Sequence, residues 1–174
     1  LLTGRSEPLC MIFTANAGFI PPEHWTQDPL RGGGRIIGEA CHYFDLMVHL
    51  AGSRVKTVAA QMVGERGFAT RTDKMTITLG FDDGSVGVVN YFANGSKSYP
   101  KELMEVFSQN RVFRLDNFRK LVGFGARNFS RMSLMRLDKG HQAEFAAFID
   151  RVTTGGPPLI PMSELVNVTL ASFA

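Results

Sequence analysis

The sequence predicts an α+β domain, in which a mostly antiparallel, open sheet has helices packed on one face. Three observations lead to this prediction. Short runs of strand-forming residues follow one another through the middle of the chain, and a hairpin turn signal joins two of them. Helical periodicity occurs before these runs, at 36–51, and again from residue 140 onward. Because helices and strands are grouped and do not alternate, the pattern favours an antiparallel or mixed sheet.

Each element follows from local composition. Strands are expected at 9–17, 55–63, 75–81, 86–92, 103–108, 112–115 and 119–124. A proline-bearing loop is expected at 18–31, and Asp-Asp-Gly-Ser at 82–85 has the chemistry of a tight hairpin turn. Helices are expected at 36–51, ended by Gly52, at 140–152, and from Ser163 to the end of the sequence.

Length and composition limit the class of protein. The 174 residues, 44% apolar and 20% charged, suit a single domain over 1–174 with its own core. A complete two-domain cofactor enzyme needs roughly 250 residues, so we expect a fragment of a longer chain. The net charge of +3 is compatible with anionic small molecules. Two cysteines, Cys10 and Cys41, suit a reducing cytoplasm, and no apolar run approaches the roughly 18 residues of a membrane span.

The sequence has no dinucleotide-binding fingerprint. Such a unit needs a strand, a G-x-G-x-x-G turn, a helix and an acidic residue about 20 positions later. The three consecutive glycines at 32–34 are followed by Arg35, whereas a phosphate-binding P-loop continues with Lys and Ser or Thr. Backbone amides at these glycines could approach an anion, or the glycines could allow a helix to pack tightly. Both readings remain open at this stage.

A polar stripe on the helix after the glycines gives the clearest chemical signal. At 100° per residue, Gly38, His42, Asp45 and His49 share one side and the apolar residues gather on the other. Asp45 follows His42 by three positions, so its carboxylate can reach the imidazole, and a histidine held in this way can act as general acid or base. An ordinary solvated helix face is the alternative. No metal is predicted, because ligands at these spacings span about 10 Å of helix.

Two segments resemble one protein family. The stretch GGGRIIGEACHYFDLMVHLAG at 32–52 resembles the segment that opens the C-terminal domain of the glucose–fructose oxidoreductase, inositol dehydrogenase and rhizopine-catabolism family (Gfo/Idh/MocA), and residues 139–174 are similar to its terminal helices. The resemblance implies a dihydrodipicolinate-reductase-like fold. It also implies an N-terminal Rossmann domain that binds NAD or NADP and is missing here, so no cofactor is expected on this chain alone.

The resemblance assigns roles to residues of the polar stripe. His42 matches the histidine that shuttles a proton at the reacting hydroxyl or carbonyl, and Asp45 matches the aspartate that orients the helix or the imidazole. The family often has an Asp four residues before the histidine, where this chain has Gly38. Glu39 is expected to supply that carboxylate if the first turn of the helix is wound differently.

The loop before the glycines is the expected site of substrate contacts. Asn16 ends the first strand, and His24 and Trp25 follow two prolines. An indole can stack on a sugar ring while Asn and His bond to hydroxyls, although a single tryptophan can equally serve packing. Arg35 is a further candidate for substrate binding.

A basic stretch at 111–139 suggests a second class of binding partner. Eight Lys and Arg are interleaved with phenylalanines, a pattern that nucleic-acid binding shares with strands that have one wet and one buried face. A phosphorylated substrate such as a nucleotide sugar suits this charge better than nucleic acid does.

We therefore expect the substrate-binding and assembly domain of a cytoplasmic NAD(P)-dependent oxidoreductase acting on a sugar, cyclitol or nucleotide-sugar alcohol or ketone. The chain alone is expected to be inactive. A non-catalytic sugar-binding or scaffold domain is the alternative. The open sheet face is expected to pair subunits into a homo-oligomer.

Overall fold

The computed structural model describes residues 1–28, 30–64 and 73–174, which form an eight-stranded sheet in the order β2-β3-β4-β1-β5-β6-β7-β8. The strands are β1 (Cys10–Asn16), β2 (Val55–Met62), β3 (Lys74–Phe81), β4 (Val86–Phe92), β5 (Glu102–Ser108), β6 (Arg111–Asp116), β7 (Lys120–Phe124) and β8 (Arg131–Ser133). Only the β1–β4 pair is parallel among the pairs described. The predicted mostly antiparallel sheet is confirmed.

The first strand of the chain lies in the middle of the sheet. The β1 strand is paired on both sides, and one face of this segment is buried: Met11, Phe13 and Ala15, together with Leu9 just before the strand, are at most 1% exposed. The alternate residues of β1 point to the other face, as strand geometry requires.

Helices cover part of one face. The α1 helix (Cys41–Ala51) buries Phe44, Met47 and Val48 against the sheet, and α3 (Met162–Phe173) packs on α1. Asn167 of α3 holds the edge strand β2 by donating its side-chain N–H to the Val55 carbonyl and accepting from the Val55 N–H, both at 2.9 Å. The remaining helix, α2 (His141–Thr154), buries none of its residues.

The helix expected at 36–51 is two elements. A π-helical turn, Ile36–Ala40, precedes α1, and Gly52 ends α1 with a left-handed φ of 58°. The expected turn at 82–85 is confirmed, with the Asp83 carboxylate accepting from the Ser85 N–H at 3.0 Å. The loop expected at 18–31 contains a single short 3₁₀ turn, Trp25–Gln27, among its described positions; residue 29 lies outside the described residues. The three-residue β8 had no clear signal in the sequence.

The second face of the sheet carries no helix in the described part of the chain. Its apolar residues lie in register across neighbouring strands: Val86, Cys10, Phe107, Val112 and Phe124 form one row. Phe107 and Phe124 are 39% and 54% exposed. None of the described helices is long and apolar enough to cross a membrane.

Candidate functional site

The candidate site lies where β1 and β4 end and β5 begins. Asn16 is opposite Phe92 across the parallel pair, and Ala15 is opposite Glu102 across the antiparallel one. The π-helical turn begins above this edge of the sheet and is tied to it by side chains. Residues far apart in sequence thus meet at one end of the sheet, beside the start of α1.

Arg35 is a buried cation that joins the loop after β1 to the π-helical turn. It is 3% exposed, and its Nε and Nη2 donate to the Glu39 carboxylate at 2.9 and 3.3 Å. Its Nη1 and Nη2 also donate to the carbonyls of Gly18 and Ala17, at 2.7 and 3.1 Å. Burial alone would lower the pKa of Arg35, but the hydrogen bond to Glu39 and the charges of Tyr91, Glu39 and Asp73 together outweigh it, so the pKa is raised. Four of its five N–H groups thus bond to described residues.

Glu39 is the acceptor at the centre of this cluster. The Tyr91 hydroxyl donates to its Oε2 at 2.6 Å, and the Arg35 guanidinium lies 5.3 Å from the centre of the Tyr91 ring. Burial would raise the pKa of Glu39, but the bonds from Arg35 and Tyr91 hold it below its usual value. The turn that carries Glu39 is π-helical and not α-helical, and the Glu39 carboxylate bonds to Arg35 and Tyr91.

His42 and Asp45 lie one turn further along, on α1. His42 and His49 are exposed and Asp45 is half-buried, while the apolar side of the helix is buried. No hydrogen bond joins the His42 imidazole to the Asp45 carboxylate, so the contact expected from their spacing is not formed here. In the described part of the chain, no three His, Cys, Asp or Glu side chains are grouped as metal ligands would be.

A second ion pair with one buried partner, which sequence reasoning missed, lies at the start of β5. Glu102 is 5% exposed and accepts from Lys139 Nζ at 2.8 and 2.7 Å on its two oxygens. The Tyr43 hydroxyl also donates to Glu102, at 3.4 Å, and burial followed by the Glu102 charge raises the pKa of Tyr43. A signal was available, because Glu102 alternates in step with the buried Met104 and Val106.

The expected substrate residues of the loop lie at the rim of the same edge. Asn16 donates its amide N–H to the carbonyls of Ser96 and Tyr99, at 2.7 and 3.3 Å. Its Oδ1 is buried and has no partner among the described residues. The His24 Nδ1 lies 2.8 Å from the Thr26 hydroxyl, and Trp25 is 58% exposed. The structure therefore brings Arg35, Glu39 and Asn16 to one edge and leaves the indole accessible.

The sequence of this chain matches the sequence model of one protein family. The model describes the GFO/IDH/MocA C-terminal domain and covers residues 9–113, which include β1, the glycines, the π-helical turn and α1. The chain belongs to the Gfo/Idh/MocA family. No curated protein sequence gives a significant match.

Solved structures of Gfo/Idh/MocA oxidoreductases have the same fold. UDP-N-acetylglucosamine 3-dehydrogenase GnnA from Acidithiobacillus ferrooxidans is 19% identical, with a TM-score of 0.70 over 96% of this chain and 51% of its own. An oxidoreductase from Agrobacterium radiobacter in complex with NAD+, L-tartaric acid and magnesium is 18% identical, with a TM-score of 0.70 over 97% and 53%. Levoglucosan dehydrogenase in complex with NADH is 16% identical, with a TM-score of 0.73 over 98% and 55%.

The chain spans about half the length of these relatives. Two of the relatives were crystallised with a nicotinamide dinucleotide. The parallel strands β1 and β4 lack the strand–glycine turn–helix unit that holds a pyrophosphate. In the two-domain family to which the chain belongs, a separate Rossmann domain is implied for that task.

Proposed function

We propose that this chain is the substrate-binding domain of an NAD(P)-dependent oxidoreductase acting on a sugar, cyclitol or nucleotide-sugar alcohol or ketone. One observation carries the proposal. The family model covers residues 9–113, and within that range His42 is exposed on the first turn of α1, directly after a π-helical turn fixed by the ion pair of the buried Arg35 with Glu39. Proton transfer with a bound hydroxyl or carbonyl needs an accessible imidazole that the surrounding structure holds in place.

His42 takes the proton of the substrate hydroxyl during oxidation and returns it to the carbonyl oxygen during reduction. The nicotinamide, bound by the N-terminal domain of the complete protein, supplies the hydride acceptor or donor. Asp45, on the same helix, acts on His42 or on the helix itself once the substrate is present, because apo sites often tighten only in the complex. Glu39 stays ionised in its pair with Arg35 and supports the turn that positions His42.

Substrate specificity is determined by the residues at the rim of the site, Asn16, His24 and Trp25. The exposed indole of Trp25 offers a flat apolar surface to a sugar ring, and the neighbouring His24 and the Asn16 Oδ1 supply polar contacts. Arg35 contributes mainly by fixing the Ala17 and Gly18 carbonyls, with a single N–H left for a ligand.

The setting of the complete protein is part of the proposal. The open sheet face, with its apolar row through Phe107, pairs two subunits, since a one-layer sheet must cover its second face. Cys10 and Cys41 are both free thiols, which suits a reducing compartment such as the cytoplasm. Whether NAD or NADP is used is decided by the nucleotide-binding domain.

A cofactor and substrate screen tests the proposal. The complete natural chain is incubated with NAD+ or NADP+ and with sugars, cyclitols and nucleotide sugars, and reduced nicotinamide is followed by its absorbance. Turnover of at least one sugar-like alcohol is the expected result. Binding of a sugar with no reduction of either cofactor would favour a non-catalytic sugar-binding domain and contradict the proposed activity.

A further inference from the structure

The loop that carries Trp25 is tied to the sheet by a carboxylate that lies outside the predicted site residues. Gln27 Nε2 donates to Asp73 Oδ2 at 3.1 Å, although the two residues are 46 positions apart in the chain. Asp73 comes directly before β3, and its backbone carbonyl accepts from the Ala93 N–H at 3.0 Å. The carboxylate is therefore fixed at the end of the β3–β4 pair, on the edge of the sheet where the candidate site lies.

The burial of Asp73 makes this hydrogen bond a strong restraint. Asp73 is 1% exposed. Its Oδ1 lies 3.5 Å from Lys74 Nζ and accepts no hydrogen bond from the described residues. The charge of Asp73 also helps to raise the pKa of Arg35. A buried carboxylate costs free energy unless it is bonded, and a hydrogen bond in a buried place is stronger than the same bond in water. Loss of the bond from Gln27 is therefore costly.

Gln27 passes this restraint to Trp25 over a short stretch of backbone. Both residues belong to the 3₁₀ turn Trp25–Gln27, in which the Gln27 N–H donates to the His24 carbonyl at 2.9 Å and the Asp28 N–H donates to the Trp25 carbonyl at 3.2 Å. The other side-chain hydrogen bonds described for 24–28 stay inside the loop. Because two hydrogen bonds close the turn within five residues, a shift of Gln27 also moves Trp25.

We propose that Asp73 is a positioning residue that holds Trp25 in its substrate-binding position through Gln27. This inference rests on the proposed function, in which the indole stacks on a sugar ring. Stacking needs one orientation of the indole, and Trp25 is 58% exposed, so its own packing does not fix that orientation. The restraint comes from the turn below it. Asp73 acts on substrate binding and not on proton transfer.

Substitutions in the complete natural chain test the inference at Trp25 itself. Gln27→Ala removes the donor and Asp73→Ala the acceptor, whereas Asp73→Asn keeps an oxygen that can accept from Gln27. Gln109→Ala is the matched control, because Gln109 Nε2 also donates, to Ser6 Oγ at 2.8 Å, but follows β5 at the opposite edge of the sheet. Fluorine NMR of the fluorotryptophan-labelled chain reports the indole, and the Trp25 resonance is assigned by its absence from Trp25→Phe.

The expected result is a shifted or split Trp25 resonance in Gln27→Ala and Asp73→Ala. Asp73→Asn and Gln109→Ala should keep the resonance close to that of the unmodified chain. For the sugar, cyclitol or nucleotide sugar turned over fastest in the substrate screen, KM should rise about 10-fold in both alanine variants while kcat changes less than about 2-fold. The double alanine variant should resemble either single one, because both substitutions remove the same bond.

Several outcomes would overturn the inference. An unchanged Trp25 resonance in Gln27→Ala would do so even if Asp73→Ala failed to fold. A shifted resonance with an unchanged KM would remove the positioning role, as would additive effects of the two alanine substitutions. If the unmodified chain turned over no sugar-like alcohol, the proposed function would fail, and the Trp25 resonance would still decide whether Asp73 anchors the turn.

Discussion

At the scale of single residues, the Glu39 carboxylate stabilises the fold most at pH values above its ordinary pKa, where it is ionised. Its pKa is lowered in the folded chain, so the stabilisation is present at neutral pH and is lost as the pH falls below about 4.5. Glu39→Gln is expected to cost about 1 kcal/mol near pH 7, a value reduced for its partial exposure. Urea unfolding of the unmodified chain and of Glu39→Gln, from neutral to acidic pH, measures the difference in their free energies of unfolding. This difference should become smaller on acidification, and a difference independent of pH would contradict an ionised pair.

Arg35 is expected to be irreplaceable by lysine. An ammonium cannot reproduce the fork that reaches Glu39 and the Ala17 and Gly18 carbonyls together, so Arg35→Lys should lower the free energy of unfolding by about 2–3 kcal/mol. Arg31→Lys is the control, since Arg31 is exposed, and it should change stability by less than about 0.5 kcal/mol. Equal effects of the two substitutions, measured by denaturant unfolding, would contradict the role given to Arg35.

The residues of the site could be predicted in part. Helical spacing after a glycine cluster singled out His42 and Asp45, the family resemblance added Glu39, and Arg35 was a further candidate beside the glycines. The pair of Glu102 with Lys139 was missed: alternation along β5 marks Glu102 as buried, but its partner lies 37 positions away and no local pattern identifies it. Spacing also predicted a bond between His42 and Asp45 that the structure does not form.

At the scale of elements, Gly32, the first of the glycines before α1, is required by packing. A Cβ at Gly32 would lie 2.6 Å from Thr26 Cα, so the loop that carries Trp25 passes directly over this glycine. Gly32→Ala should therefore cost about 2–3 kcal/mol and displace the loop. Gly38→Ala is the control, because its Cβ would meet nothing closer than 3.9 Å, and it should be neutral or slightly stabilising. Thermal unfolding measures stability, and Trp25 fluorescence reports the loop; equal tolerance of both changes would contradict this packing.

The elements themselves were largely predictable, with physical reasons for each exception. Runs of strand-forming residues and the turn signal at 82–85 located β1 to β7, because these residue types suit the pleated, partly buried surface of a sheet. The π-helical turn was not foreseen, since a wider turn is fixed by the Glu39 contacts with Arg35 and Tyr91 and not by local propensity. Strand order was equally out of reach, as the parallel pairing of β1 with β4 is a long-range choice.

At the scale of the whole molecule, the open sheet face is expected to hold two subunits together. Phe107→Asp places a charge in the middle of the apolar row and should weaken self-association about 30-fold or more. Leu30→Asp makes the same change at a residue that is 97% exposed in a loop, and it should leave assembly unchanged. Analytical ultracentrifugation of the complete chain measures both. Unaltered assembly of Phe107→Asp, with its fold intact, would contradict this interface.

Proton transfer by His42 is the central claim, and a matched pair of histidine substitutions tests it most directly. In the complete chain, His42→Asn should lower kcat for the preferred alcohol by about 10²–10⁴-fold while the Kd of the nicotinamide cofactor stays the same. His49→Asn, exposed on the same helix two turns further on, should leave both quantities unchanged. If His42→Asn turned over substrate at the rate of the unmodified enzyme, His42 would not be the proton-transferring group.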